Sequence, residues 1–125
     1  MNYSKSNKEI IVITGAGQGI GKAIAKNLNN KYDLFLISKT SNCQKTAEEI
    51  EKNSIKNKSI KRKIEYQKIN LENEINLNLL KKKINFKKYE NIHLILCAGI
   101  VDPYKESFKK IKSWNKVFKI NLFSN

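Results

Sequence analysis

Thr14, Gly15, Gly19 and Gly21 stand in the spacing Thr-Gly-x-x-x-Gly-x-Gly, which leaves a stretch of backbone almost bare of side chains. Bare backbone suits one kind of chemistry. Its N–H groups, with the positive end of a following helix, can cradle a phosphate or pyrophosphate. Gln18 and Ile20 lie inside the same turn and join Thr14, Gly15, Gly19 and Gly21 as candidate cofactor contacts. Two other phosphate cradles are excluded by spacing. A P-loop needs Gly where Ala16 stands and Ser or Thr where Ala23 stands. The spacing G-x-G-x-x-G fails because Ile20 and Lys22 occupy the places three beyond Gly17 and Gly19.

The elements that would position these residues read from the flanking pattern. Ile10-Ile11-Val12-Ile13 is an unbroken β-branched run, which predicts a strand covered on both faces. Ile20, Ala23, Ile24 and Leu28 predict the buried stripe of a helix beginning at the glycines. Tyr32 to Ser38 predicts a second parallel strand, and its end carries Ser38-Lys39-Thr40. In a β-α-β nucleotide unit an Asp or Glu there would hold a ribose 2′-hydroxyl and mark NAD. No carboxylate stands there. A cation with two hydroxyls suits a 2′-phosphate, so the expected cofactor is NADP, with NAD the alternative.

Farther along, Ser41 or Asn42 could cap a helix with Ala47 and Ile50 inside and Glu48, Glu49 and Glu51 outside, and residues 53–63 read as a polar loop. A third strand is expected at Lys63 to Leu71 and a third helix around Ile75, Leu79, Leu80 and Ile84. Ile92 to Cys97 predicts a fourth buried strand opening into Ala98-Gly99, with His93 near its start and so away from the strand ends where such folds bind ligands. Beyond Pro103, residues from Phe108 to Ile120 suggest a last amphipathic helix, and the sequence stops at Asn125 inside an element. These elements make one α/β domain over residues 1–125: a three-layer, doubly wound parallel sheet in strand order 3-2-1-4, incomplete at its C-terminal end.

Composition limits the partners. The net charge is +14, which would suit nucleic acid, but Arg62 is the only Arg and the lysines are spread along the length of the chain. A basic nucleic-acid binder is the weaker reading. Cys43 and Cys97 do not form a metal-binding or disulfide pattern. No segment approaches the roughly 20 apolar residues of a membrane span, and no apolar leader opens the chain, so a cytoplasmic protein is expected.

Taken together, these residues resemble the short-chain dehydrogenase/reductase family, whose glycine motif T-G-x-x-x-G-x-G is matched in full by Thr14 to Gly21. The resemblance runs along the whole chain, as the N-terminal half of such an enzyme. It implies that Asn70-Leu71 lies near the adenine, where the family has Asp and an apolar residue. It also implies that Cys97-Ala98-Gly99 passes the nicotinamide ribose, within Leu96 to Gly99 where the family has N-N-A-G. Asn121 resembles the family's active-site Asn, which holds a helix distortion and a water of the proton relay. The implied activity is hydride transfer between nicotinamide and a carbonyl compound or alcohol, in a parent that is a homo-oligomer.

One departure bears on activity. The family's Tyr-x-x-x-Lys, in which a Tyr with lowered pKa moves the proton, has no counterpart: no Tyr in the sequence has Lys four places later. The 125 residues are therefore expected to bind cofactor without turning over substrate by themselves. A catalytically empty NADP-binding module is the alternative.

Overall fold

Ile10 to Thr14 and Asp33 to Ser38 are buried at every position, which is what unbroken apolar runs do in a sheet covered on both faces. The computed structural model describes residues 9–58, 62–72, 78, 82, 83 and 86–99. In chain order, β1 (Glu9–Thr14) turns through the glycines into α1 (Gly19–Leu28), followed by β2 (Asp33–Ser38) and α2 (Asn42–Lys56). Next come β3 (Ile64–Lys68), a 3-10 turn at Phe86–Lys88 and β4 (Asn91–Leu96). The strands form one parallel sheet in the order β3-β2-β1-β4, as expected.

Alternation along the strands builds two apolar layers. Ile11, Ile13, Leu34 and Leu36 face Ala25 of α1 and Cys43, Ala47 and Ile50 of α2. Ile10, Val12, Phe35 and Ile37 face the other way, against Ile69, Leu71 and Tyr89. On that second face Lys83, in helical conformation, donates from Nζ to Gln67 Oε1 at 2.7 Å. Ile13, Leu34, Leu36 and Ile37 are almost wholly buried, and each such side chain contributes roughly 1.5 to 3 kcal/mol of transfer free energy. At the opposite end of the strands from the glycine turn, the Asp33 carboxylate accepts from Lys63 N at 3.2 Å and from the Tyr89 hydroxyl at 3.0 Å. Burial, and then this bond to Asp33 and its charge, push the Tyr89 phenol pKa up.

Several expected details are corrected. The inward stripe of α1 is Gly21, Ile24, Ala25 and Leu28, while Ala23 is exposed and Ile20 is 75% exposed. The spacing is right and the phase is shifted by one residue, because a glycine at position 21 lets the helix sit closer to the turn than a side chain would. α2 continues through Lys56 into the stretch expected as loop, and Lys58 ends it with φ +52°. Ser41 holds the N-cap position of α2 but makes no side-chain cap; the Cys43 N–H is instead taken by Ser38 Oγ at 3.0 Å. β3 is shorter than expected. β4 pairs with β1 but is not buried: Ile92, Leu94 and Leu96 are 43%, 57% and 46% exposed. His93 lies in β4 opposite Ile11, edge-on to the Tyr32 ring and 3.4 Å from Glu9 Oε1. The third helix falls largely outside the described residues, and the last helix and Asn121 fall outside them entirely.

Candidate functional site

The turn between β1 and α1 is built on close backbone approaches. Gly15 has φ +68°, and a Cβ there would lie 2.7 Å from Ala98 N and the Cys97 carbonyl. That approach lets the exit of β4 bond to the end of β1. Cys97 N donates to Thr14 O at 3.2 Å, and Ala98 N donates to Thr14 Oγ1 at 3.1 Å. A Cβ on Gly21 would collide with Gly15 O, so α1 starts directly against the turn. Gly19 differs. Its φ is +57°, yet a Cβ would meet nothing within 4 Å, so open space lies beside the first turn of α1.

The first turn of α1 is open to a hydrogen-bond acceptor. Gln18 gives no side-chain cap, no acidic residue stands in the turn, and the leading N–H groups of a helix have no intrahelical acceptor. In front of it opens a cavity of about 490 Å³ at the C-terminal ends of the parallel strands, where folds of this kind bind ligands. Gly15, Gln18, Gly19, Ile20, Gly21, Ser38, Lys39, Thr40, Asn70, Leu71, Cys97, Ala98 and Gly99 all line it, so residues expected to act together from four places in the sequence share one wall. Thr14 is the exception among the described candidates. It is buried behind the wall, and its hydroxyl is spent on Ala98 N.

Three residues at the β2 exit have distinct parts. Ser38 is buried, its hydroxyl donating to Thr40 O at 2.5 Å and accepting from Cys43 N, so it shapes the loop and starts α2. Thr40 Oγ1 accepts from Asn42 N at 3.3 Å. Lys39 extends outward with a 60% exposed side chain, and its Nζ lies 3.9 Å from Glu72 Oε1. The end of β2 itself has no carboxylate, as its sequence shows, but Glu72 arrives beside Lys39 from the loop after β3. Asn70 Oδ1 accepts from Glu72 N at 3.0 Å, an Asx turn that fixes the loop.

Sequence reasoning passed over residues the cavity depends on. A Cβ on Gly17 would meet Asn42 Cβ at 2.7 Å and Ser38 Cβ at 3.2 Å, so this glycine admits α2 beside the turn. Thr46 is fully buried and its hydroxyl donates to Ala16 O at 2.9 Å, fixing the floor of the turn. Asn42, Ile37 and Ile69 complete the lining. A polar Thr inside the apolar stripe Cys43, Ala47, Ile50 was the one visible signal for Thr46.

The model of the family described as short chain dehydrogenase matches residues 9–125. The chain belongs to that family. The 3-oxoacyl-[acyl-carrier-protein] reductase FabG of Buchnera aphidicola subsp. Baizongia pistaciae is 37% identical over 123 residues, which cover 96% of this chain and 46% of that protein. A betaketoacyl-[ACP] reductase (FabG) structure from Bacteroides thetaiotaomicron superposes with a TM-score of 0.69 at 26% identity, covering 94% of this chain and 50% of that one. A short chain dehydrogenase from Mycobacterium paratuberculosis bound to NAD has the same fold, with a TM-score of 0.75 at 15% identity over 97% of this chain and 48% of that one. The chain thus spans about half the length of the relatives it matches. Short-chain dehydrogenases are nicotinamide-dependent oxidoreductases, and the uncapped α1 terminus and open space at Gly19 fit the pyrophosphate of such a cofactor. Among the described residues no helix is long and apolar enough to cross a membrane, and no group of three or more His, Cys, Asp or Glu could hold a metal.

Proposed function

We propose that these residues form the cofactor-binding half of a cytoplasmic NADP-type short-chain oxidoreductase. The observation that carries this is the cavity itself: one wall unites an uncapped helix N-terminus, an open glycine and a lysine at the β2 exit. The pyrophosphate takes the N–H groups of Gln18 to Gly21. The adenine lies by Asn70-Leu71, the 2′-phosphate by Lys39 and Thr40, and the nicotinamide ribose by Cys97 to Gly99. When bound, the cofactor supplies hydride; this chain's residues bind and orient it. In the full-length parent the substrate is a carbonyl compound or its alcohol, and the name of the Buchnera relative makes a 3-oxoacyl group a first candidate. Asn121 serves the proton relay there, in a homo-oligomer. Without a Tyr-x-x-x-Lys, the 125 residues alone bind cofactor and do not turn over.

Calorimetric titration tests the cofactor reading. NADP should bind more tightly than NAD, and Lys39→Asp should shift that preference by roughly tenfold to a hundredfold, the value of a hydrogen bond to a charged group. An unchanged preference would remove Lys39 from the site. NADPH oxidation over a panel of ketones and aldehydes should show no turnover above background, and protein-dependent turnover would overturn the assignment of inactivity.

A further inference from the structure

We propose that Glu72 is a specificity-determining residue of the cofactor site, a carboxylate that draws Lys39 toward the end of β3 and opposes a 2′-phosphate, so that it narrows the preference for NADP over NAD. This rests on the reading of the cavity as a dinucleotide site and goes beyond it. The geometry has two parts. Glu72 Oε1 is shielded from solvent and lies 3.9 Å from Lys39 Nζ, and the Glu72 backbone is held by Asn70 Oδ1 at 3.0 Å. The loop is therefore fixed while the lysine side chain, 60% exposed, is the member free to move.

A phosphate oxygen in contact with Lys39 Nζ comes within about 7 Å of Glu72 Oε1, the sum of one hydrogen-bond length and the present separation. At that distance two negative charges near a protein surface repel measurably, and the repulsion doubles for a doubly ionised phosphate. A 2′-hydroxyl brings no charge, and at that separation it is too far to donate a hydrogen bond to the carboxylate. Glu72 thus acts on one cofactor and not the other. It works through Lys39 and through the field at the 2′ position, from a loop that sequence spacing alone does not connect to the β2 exit.

The test is calorimetric titration of the whole chain with NADP and with NAD, for the unaltered protein and for Glu72→Gln, Lys39→Gln and the double variant. Glu72→Gln should tighten NADP about tenfold, leave NAD within about twofold, and show a smaller gain in the Lys39→Gln background. The gain should shrink as salt rises, which a purely structural effect of the substitution would not do. Glu72→Ala must move NADP in the same direction, guarding against a folding defect in one variant. NADP affinity unchanged or weakened in Glu72→Gln, or NAD weakened because Glu72 accepts its 2′-hydroxyl, overturns the proposal while leaving the dinucleotide reading intact. Failure of the unaltered protein to bind either dinucleotide removes that reading and this proposal with it.

Discussion

Thr46 shows how a single hydroxyl can hold a ligand turn in shape. Its Oγ1 donates to Ala16 O at 2.9 Å from a fully buried position, so α2 grips the turn between β1 and α1 by one bond. Thr46→Val keeps the volume and removes the donor, leaving a buried carbonyl unsatisfied. The expected cost is about 1 to 3 kcal/mol of stability, read from urea unfolding with an unchanged slope. A variant as stable as the parent would mean that Ala16 O finds another donor. At this scale the sequence showed the glycine motif plainly, because only bare backbone allows Gly15 at φ +68° against Ala98 N. It did not show Thr46, Gly17 or Glu72, whose importance arises from contacts between segments far apart in the chain.

The α1–α2 pair is tied at its surface by Glu49, which meets Lys22 Nζ at 3.0 Å and Lys26 Nζ at 2.8 Å. The hydrogen bond from Lys26, then that from Lys22, holds the Glu49 carboxyl pKa below its ordinary value. A carboxylate whose folded pKa is lowered contributes stability that is present above its unfolded pKa and lost as pH falls through the folded one. The thermal midpoint of the parent should exceed that of Glu49→Gln at neutral pH in low salt. The gap should close as pH falls through the lowered folded-state pKa of Glu49, and it should shrink at high ionic strength. A gap independent of pH would assign the effect to packing. The elements themselves were legible: strands β1 and β2 because both faces of each are covered, so every residue had to be apolar or hydrogen-bonded. The phase of α1 was not, since Gly21 carries no hydrophobic signal although it is the residue nearest the turn, whereas Ile20 carries a strong one and faces the cavity. The start of α2 was hidden for a similar reason, its cap coming from Ser38 on the preceding strand.

For the molecule as a whole, β4 is the exposed flank. Ile92, Leu94 and Leu96 present apolar side chains to solvent, and among the described residues β4 pairs only with β1. A parallel strand with open N–H and C=O groups is a template for another chain. The charge of +14 opposes such contact, and screening removes that opposition beyond about 8 Å at physiological salt. Light scattering of the 125-residue chain should therefore show association growing with salt, and Leu94→Lys should suppress it. A monomer at every salt concentration would mean that the flank is covered. The C-terminal ends of the strands carry the central claim, a pyrophosphate seat at the start of α1. Gly19→Asp addresses it most directly: Asp tolerates positive φ, a Cβ there meets nothing within 4 Å, and the added carboxylate lies in the mouth of the seat. NADP titrated calorimetrically should bind the parent and lose on the order of a hundredfold in affinity to Gly19→Asp, with the circular dichroism of the variant unchanged; equal affinity in the folded variant would contradict the account.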